Sequence, residues 1–235
     1  MGRLARVVIP ECAHHITQRG NLQQPVFQSD RDRQLYLEIL QQNSTRYRMR
    51  ILGFCLMTNH VHLLVVPERN DSLAKALGRT HNDYARWVHV RERQVGHLWQ
   101  NRFFSCPLDE AHCWEALRYI EMNPVRGGIV KQAQQWPWSS AAAHLKCAGH
   151  EELLDMTSWS ARFDAESWRE ILELGMQDAA MLARLREATR TGRPVGSAQF
   201  VKRLEHDLAR TLLPAKRGPL AKTAAVSDQM SFGIT

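Results

Sequence analysis

Apolar and polar residues along the first 145 positions follow patterns that predict strands and helices in turn. Residues 7–17 are rich in β-branched side chains and end at the turn-forming sequence QRGN, which predicts a strand. The nearly continuous apolar run Met49–Met57 is typical of a central strand, and residues 60–66 predict its neighbour. A fourth strand is predicted at residues 98–107, after the break at Gly96.

Helical spacing appears between these strands. Ser29 and Asp32 resemble a capping box, which predicts the start of a helix. A second helix is predicted to begin at position 71 or 72, because apolar residues recur on one stripe at positions 73, 77, 84 and 88. Asp109 predicts the cap of a third helix, which runs to Met122 and is terminated by Pro124.

The resulting order is β-α-β-β-α-β with an extra helix. This order predicts an α+β fold of the ferredoxin-like or RRM-like class, with one antiparallel sheet and helices packed on it. After Trp136 the alternation stops and helices are predicted at 179–188 and 199–212. We therefore expect a domain at 1–145 and a mainly helical, partly basic C-terminal extension at 146–235, with a flexible tail.

The charge of the chain favours a polyanionic partner, because the net charge is +7. Residues 151–180 hold eight acidic and two basic residues, whereas residues 181–222 hold ten basic and three acidic ones. Two basic segments therefore flank an acidic one. A protein that is merely basic remains an alternative explanation.

Other compositional features exclude several classes of protein. The five cysteines are scattered without a C-x-x-C pair, which indicates neither a disulfide framework nor a zinc ribbon. No apolar run approaches membrane-spanning length, and the N-terminus lacks the pattern of a signal peptide. A cytoplasmic, nucleoid-associated protein without a membrane partner is the expectation.

His60 and His62 lie in the predicted strand, where alternation places both imidazoles on one face. Two imidazoles at this spacing can bind one cation, although histidines at the edge of a core would give the same pattern. Leu64 stands where a histidine-triad hydrolase would have its third histidine.

Tyr119 and Asn123 are four residues apart and therefore lie on one side of the last turn of the third helix. The amide oxygen of Asn123 is a hard ligand suited to Mg²⁺ or Mn²⁺. A cation beside Tyr119 would favour its phenolate, whose attack on DNA would leave a 5′-phosphotyrosine and a free 3′-hydroxyl. A tyrosine that simply packs at the helix end is the alternative.

Several segments together resemble the HUH-type single-strand DNA transposases, with the IS200-like transposase fold, and most closely the REP-associated tyrosine transposases. In chain order they are HHITQRGNLQQPVF, LGFCLMTNHVHLLVVP, LWQNRFFSCPL, ALRYIEMNPVRGGIV and WPWSS, and they span roughly residues 1–145. GRPVG at 192–196 and KRG at 216–218 resemble the C-terminal extension of some members.

The resemblance implies that His60 and His62 bind the metal ion, that Asn123 is the third ligand and that Tyr119 is the nucleophile. It also implies cleavage and rejoining of single-stranded DNA beside hairpins such as REP palindromes, by a monomer or a homodimer. Two departures stand out. Better-known insertion-sequence transposases have Gln in place of Asn123, and the KRG segment lacks the second Arg of an AT-hook-like tail.

DNA contacts are expected from cations, amides and aromatic rings near these motifs. Each of these residues could instead be solvated or packed in the core. The candidates are Arg19, Trp99, Asn101 and Arg102 in the first domain, and Arg193, Lys202, Arg203, Lys216 and Arg217 in the extension.

Two other functions fit parts of the pattern. A non-catalytic regulator could bind single-stranded or hairpin nucleic acid on an RRM-like sheet, with binding sensitive to salt but not to EDTA. A metal-dependent phosphodiesterase could use activated water and would then form no covalent intermediate.

Overall fold

The computed structural model describes residues 6–147, 149–174 and 179–212, and its strands form a four-stranded antiparallel sheet. The strands are β1 (Ala13–Arg19), β2 (Met49–Met57), β3 (His60–Pro67) and β4 (Phe104–Leu108), in the order β2-β3-β1-β4. The predicted α+β class, an antiparallel sheet with helices packed on it, is confirmed.

The helices alternate with the strands in the first part of the chain and follow one another in the second. They are α1 (Asp30–Arg46), α2 (Ser72–Glu92), α3 (Glu110–Glu121), α4 (Asn123–Arg126), α5 (Ala141–His144), α6 (Thr157–Ser160), α7 (Ala165–Glu173), α8 (Ala179–Thr191) and α9 (Ala198–Asp207). Short 3₁₀ turns lie at Asn21–Gln23, Ala133–Gln135 and Glu151–Leu153.

Two of these helices begin at side chains that the sequence predicts. Ser29 and Asp32 form a reciprocal capping box at the start of α1. Asp109 caps α3 by accepting a hydrogen bond from the backbone N–H of His112. Local sequence therefore fixes where the helix that carries Tyr119 begins.

Each face of the sheet packs against its own set of helices. On one face, Leu63 and Val65 of β3 join a core formed with α1 and α2, which contains the fully buried Tyr36 and Tyr84. On the other face, Leu64 belongs to a second core formed with α3 and with helices of the extension. Side chains of β3 thus alternate between two cores, as predicted, and the sheet lies between two layers of helices.

The extension contributes large apolar side chains to this second core. Trp168 of α7 and Val195 are fully buried in it, and Leu185 of α8 is nearly so. Val195 also extends the edge of the sheet, because its backbone N–H donates to Pro107 and its carbonyl accepts from Asp109. The described part of the extension thus packs on the sheet, while the boundary at residue 145 stays a prediction.

Gly53 allows α3 to lie close to β2. A β-carbon at this position would lie 2.2 Å from Cδ1 of Leu117, much closer than two carbons can approach. The absence of a side chain at Gly53 therefore sets the depth of α3 against the sheet.

Three of the predicted element bounds were wrong by five or six residues. The first strand begins at Ala13 rather than at residue 7, because the chain turns at Pro10 and Glu11. The φ angle of Glu11 is +57°. The fourth begins at Phe104 rather than at residue 98, because residues before it pair with β1 only through the isolated Gly20–Trp99 bridge. Helix α9 ends at Asp207 instead of continuing to residue 212.

No helix in the described part of the chain is both long and apolar enough to span a membrane.

Candidate active site

His60 and His62 lie on the face of β3 that α3 covers. Their ring centroids are 4.9 Å apart, and β1 runs alongside, with Arg19 opposite His60 and Thr17 opposite His62. Both rings line one pocket of about 620 Å³, together with Tyr119 and Asn123. The structure therefore brings together the four residues that the sequence singles out. We call this space the tyrosine pocket.

The ring of His60 is oriented by its neighbour Asn59. The Asn59 amide donates from Nδ2 to the carbonyl of Gln23 at 3.2 Å, so its Oδ1 is the atom that faces His60. Nδ1 of His60 lies 2.6 Å from that oxygen and must donate its proton to it. The Nε2 atom of His60 is then the one that carries a free lone pair.

His62 is oriented by a buried histidine of β1. Nδ1 of His62 lies 3.0 Å from Nε2 of His15, and the two ring planes are nearly parallel, 4° apart, with centroids separated by 5.3 Å. The other nitrogen of His15, Nδ1, lies 2.8 Å from the hydroxyl oxygen of Thr189 on α8. A helix of the extension therefore reaches the histidine pair through one intermediate ring.

Burial keeps these imidazoles neutral. Desolvation, followed by the charge of Arg19, lowers the pKa of His60 to about 4. Desolvation lowers the pKa of His15 to about 3 and that of His62 well below its ordinary value. The neutral imidazole is the form that binds a metal ion, so the site is in the ligating state at pH 7.

Tyr119 reaches the histidines from α3. Its ring meets His62 edge to face at a centroid distance of 5.5 Å and meets His15 in the same way at 5.8 Å. Two guanidinium groups lie near the same ring, Arg126 at 4.6 Å and Arg186 of α8 at 5.9 Å from its centroid. The phenol thus lies between two imidazoles and two cations.

Asn123 begins the short helix α4, one turn beyond Tyr119. Its Nδ2 donates to the carbonyls of Tyr119 and Ile120, at 2.9 and 3.2 Å. These bonds assign Oδ1 to the other side of the amide, where Nη1 of Arg126 lies 3.4 Å away. The amide oxygen is therefore the atom of this side chain that could bind a cation, and in this structure it accepts a hydrogen bond from Arg126.

The donor set fits a divalent cation. It combines two imidazole nitrogens, each with its second nitrogen hydrogen-bonded, and one amide oxygen that lines the same pocket. Among the described residues, no cluster of three or more His, Cys, Asp or Glu side chains could hold a metal ion. A metal ion here would thus depend on Asn123, and on water or phosphate oxygens for its remaining ligands.

A buried carboxylate holds the end of α3 in place. Glu121 has no solvent exposure and accepts hydrogen bonds from Ser140 Oγ at 2.5 Å, His144 Nδ1 at 2.6 Å and Trp168 Nε1 at 2.8 Å. Because Glu121 lies between Tyr119 and Asn123, this network fixes the turn that carries both. It also connects that turn to α7 of the extension.

Basic residues from both parts of the chain surround the tyrosine pocket. Arg19 and Arg126 line it from the first domain, and Arg186 and Arg190 line it from α8. Arg190 is paired with Glu187 on the same helix. Arg102 and Arg193, both predicted to contact DNA, line a smaller neighbouring cavity of about 60 Å³ at the edge of β4.

The remaining predicted DNA contacts lie elsewhere. Trp99 packs half-buried against Tyr36 and Tyr84, and its indole donates to the carbonyl of His81 at 2.9 Å. That is the geometry of a packing residue, so a stacking role for Trp99 stays a prediction. Asn101 is exposed, and its carbonyl accepts from Gln18.

The extension supplies the other candidates. Lys202 and Arg203 are exposed on α9. Arg203 lines a separate groove beside Glu11 and Glu110, away from the tyrosine pocket. Lys216 and Arg217 lie outside the described residues. DNA contact by these four residues stays a prediction.

Four residues of the site were missed by sequence reasoning: His15, Arg126, Arg186 and Thr189. Arg126 is three residues after Asn123, so helical spacing could have identified it. His15 shares a face of β1 with Thr17, but its pairing with His62 depends on strand register. Arg186 and Thr189 carry no local signal, because only the packing of α8 brings them to the pocket.

Comparisons with known proteins found a matching family, a related sequence and a similar fold. Residues 8–123 match the family model described as "Transposase IS200 like". A REP-associated tyrosine transposase of Haemophilus influenzae is 27% identical over 122 residues, which cover 47% of this chain and 69% of that protein. Among solved structures, a REP-associated tyrosine transposase bound to a REP hairpin aligns with a TM-score of 0.54 and 19% identity, covering 62% of this chain and 86% of that one.

The structural match supports the fold, while the family model and the sequence relative support the lineage. Members of this family generally use a divalent metal ion, which agrees with the donor set around His60 and His62. The chain belongs to the IS200-like transposases, enzymes that cleave and transfer DNA strands.

Proposed function

We propose that this protein cuts and rejoins single-stranded DNA beside hairpins through a covalent bond between Tyr119 and a 5′-phosphate. The observation that carries the proposal is the position of Tyr119, edge to face with His62 at 5.5 Å in the pocket that also holds His60 and Asn123. Hairpin DNA is proposed as the substrate because the relative of similar fold is bound to a REP hairpin.

In this mechanism a Mg²⁺ or Mn²⁺ ion would be held by Nε2 of His60, Nε2 of His62 and Oδ1 of Asn123. When bound, such an ion acts as a Lewis acid on a scissile phosphoryl oxygen. Arg126 and Arg186 flank the Tyr119 ring and would bind the non-bridging oxygens of the same phosphate. These side chains orient the phosphorus toward the phenol oxygen.

The chemical step exchanges one ester bond for another. The Tyr119 phenol gives its proton to solvent, and its oxygen attacks phosphorus and forms the new O–P bond while the bond from phosphorus to the 3′ oxygen breaks. The departing 3′ oxygen takes up a proton from solvent and becomes a hydroxyl. Because the phosphoester is kept on the protein, a 3′-hydroxyl can attack it and rejoin the strand without ATP.

We further propose that one chain completes the site. Tyr119 contacts the histidines of its own chain, and the buried network around Glu121 holds α3 against the same chain's sheet and α7. The carboxylate and its three donors are all satisfied within one chain, so the site as described needs no α3 from a second copy.

The test is a covalent capture assay with a 3′-labelled oligonucleotide that carries a hairpin and single-stranded flanks. Palindromes that flank the coding region in the genome are the natural choice of hairpin. With Mg²⁺ or Mn²⁺ the label should migrate with the protein on a denaturing gel. Tyr119→Phe, His60→Ala and EDTA should each remove the adduct, whereas Tyr47→Phe, a half-buried tyrosine at the end of α1, should leave it unchanged.

Three outcomes would contradict the proposal. An adduct that persists in Tyr119→Phe would show that another residue is the nucleophile. Metal-dependent cleavage without any adduct would indicate attack by water. The protein could also bind the oligonucleotide without cleaving it. If that binding were sensitive to salt but unchanged by EDTA and by His60→Ala, the protein would be a non-catalytic nucleic-acid-binding protein.

A further inference from the structure

Thr189 of α8 belongs to the extension and contacts a histidine of the first domain. Its side chain is buried, and its hydroxyl oxygen lies 2.8 Å from Nδ1 of His15 and 2.7 Å from the carbonyl oxygen of Leu185. Residue 189 lies well beyond residues 8–123, which match the family model. The contact therefore joins the extension to the histidine pair.

The hydrogen-bond partners decide where each proton lies. The carbonyl of Leu185 can only accept, so the single hydroxyl proton of Thr189 is donated to it. The oxygen of Thr189 then accepts from Nδ1–H of His15. A neutral His15 with its proton on Nδ1 presents an unprotonated Nε2 to His62.

The unprotonated Nε2 of His15 determines where the proton of His62 lies. Nδ1 of His62 must donate to Nε2 of His15, 3.0 Å away, which leaves the Nε2 atom of His62 without a proton. That nitrogen belongs to a residue that lines the tyrosine pocket. The three hydrogen bonds thus form a relay from Leu185 through Thr189 and His15 to His62.

We propose that Thr189 is a positioning residue, which selects through His15 the tautomer of His62 that can bind a metal ion. This inference rests on the proposed function of His62 as a ligand. Histidines that bind metals commonly donate their second N–H to a carboxylate, carbonyl or water, and these partners strengthen binding. Here a second imidazole accepts that hydrogen bond. An imidazole can do so only if a hydrogen bond at its other nitrogen fixes its own tautomer.

The relay makes the extension part of the active centre. If Thr189 could not accept, His15 would be free to carry its proton on Nε2. His62 would then have to accept at Nδ1 and carry its own proton on Nε2, where it blocks the lone pair. Loss of one hydroxyl on α8 would in this way disable a ligand on β3 without removing any side chain from the pocket.

Three variants on one helix separate this role from simple packing. Thr189→Val keeps the shape of the side chain and removes the acceptor, whereas Thr189→Ser keeps the acceptor. Thr191→Val is the matched control, because the Thr191 hydroxyl donates to the Glu187 carbonyl of the preceding turn at 2.8 Å and has no contact with His15 among the described residues. Thermal unfolding followed by circular dichroism verifies that each variant is folded.

The primary measurement needs no metal. Long-range ¹⁵N–¹H correlation spectra of the ¹⁵N-histidine-labelled protein at neutral pH report which ring nitrogen carries the proton, and the variants His15→Gln and His62→Ala assign the signals. The wild-type protein and Thr189→Ser should show His15 protonated on Nδ1 and His62 on Nδ1. Thr189→Val should shift both rings toward the Nε2-protonated tautomer.

The second measurement is the affinity for Mn²⁺ by electron paramagnetic resonance. Thr189→Val should bind Mn²⁺ roughly 10- to 100-fold more weakly, while Thr189→Ser and Thr191→Val stay close to wild type. If the wild-type protein bound Mn²⁺ no better than His62→Ala, the metal site of the proposed function would be wrong. If His62→Ala lost Mn²⁺ but Thr189→Val kept wild-type affinity and tautomers, the metal site would stand and the relay would be refuted.

Discussion

The indole of Trp168 donates a hydrogen bond of 2.8 Å to the carboxylate of Glu121, so a helix of the C-terminal extension holds the turn that carries the catalytic candidate Tyr119. Both side chains are fully buried. A carboxylate in such a position is stable only because Ser140 and His144 supply two further donors. The extension therefore supports the active site as well as covering it.

We expect Trp168→Phe to destabilise the protein by about 1–3 kcal/mol, because one donor to a buried carboxylate is lost while most of the ring volume stays. Glu121→Ala should cost more, since it leaves three buried donors without an acceptor. Urea denaturation followed by circular dichroism gives the free energy of unfolding. Trp159→Phe is the control, because this equally buried indole has no hydrogen-bond partner among the described residues. An equal loss in both Phe variants would mean that the bond to Glu121 contributes nothing.

Asn59 should control the metal affinity of His60. Its Oδ1 accepts from Nδ1 of His60 at 2.6 Å, so Asn59→Leu removes the partner that fixes the tautomer of this ring. We expect Mn²⁺ to bind roughly 10-fold more weakly, as for other partners of metal-binding histidines. Asn59→Asp, which keeps an acceptor oxygen, is the control and should retain the affinity. Titration followed by electron paramagnetic resonance measures both, and equal affinities for the Leu and Asp variants would refute the role of Asn59.

Arg186 should speed the formation of the covalent adduct. Its guanidinium lies 5.9 Å from the centroid of the Tyr119 ring, on the wall of the tyrosine pocket that α8 provides. If it binds the scissile phosphate, Arg186→Ala should slow adduct formation on the order of 10²-fold, with little change in stability because the side chain is exposed. Single-turnover rates with the 3′-labelled oligonucleotide measure the effect.

The control for Arg186 is Arg31→Ala, an exposed arginine of α1 on the opposite face of the sheet. Its rate should match that of the wild-type protein at every salt concentration. If the Arg186 and Arg31 variants slowed the reaction equally, the effect would come from net charge rather than from contact with the phosphate.

The stability of the fold should depend on pH through His81. Burial lowers the pKa of this histidine to about 3, and Tyr36 donates its hydroxyl to Nε2 at 3.1 Å. In the unfolded chain the pKa is about 6.5, so the unfolded state binds the proton first as the pH falls. The contribution of His81 to the free energy of unfolding is complete above pH 6.5 and is lost progressively toward pH 3. Between pH 7 and pH 5 the loss is about 2 kcal/mol.

His81→Gln keeps an acceptor for Tyr36 and removes the titrating group. Urea denaturation at pH 7 and pH 5 should therefore show a smaller loss of stability in this variant than in the wild-type protein. His206→Gln, at an exposed site on α9, should lose as much as the wild-type protein. Equal losses in all three proteins would contradict the proposed linkage.

The sequence by itself determined those structural features of this protein that depend on residues close together in the chain. The capping box at Ser29, the bounds of Met49–Met57, the shared face of His60 and His62, and the common turn of Tyr119 and Asn123 all depend on residues a few positions apart. Helical and strand geometry repeat at fixed spacing, so such relations can be read directly from the chain. The order of elements then indicates the ferredoxin-like sheet.

Only the tertiary structure decided which distant groups meet. The register of β1 against β3 brings His15 to His62, and the packing of α7 and α8 brings Trp168 to Glu121 and Thr189 to His15. The start of the fourth strand was also set by pairing rather than by local preference, because the residues before it pair with β1 only through the Gly20–Trp99 bridge. A hydrogen bond depends on positions in space to within a few tenths of an ångström, whereas sequence separation carries no such information once the chain has turned back on itself.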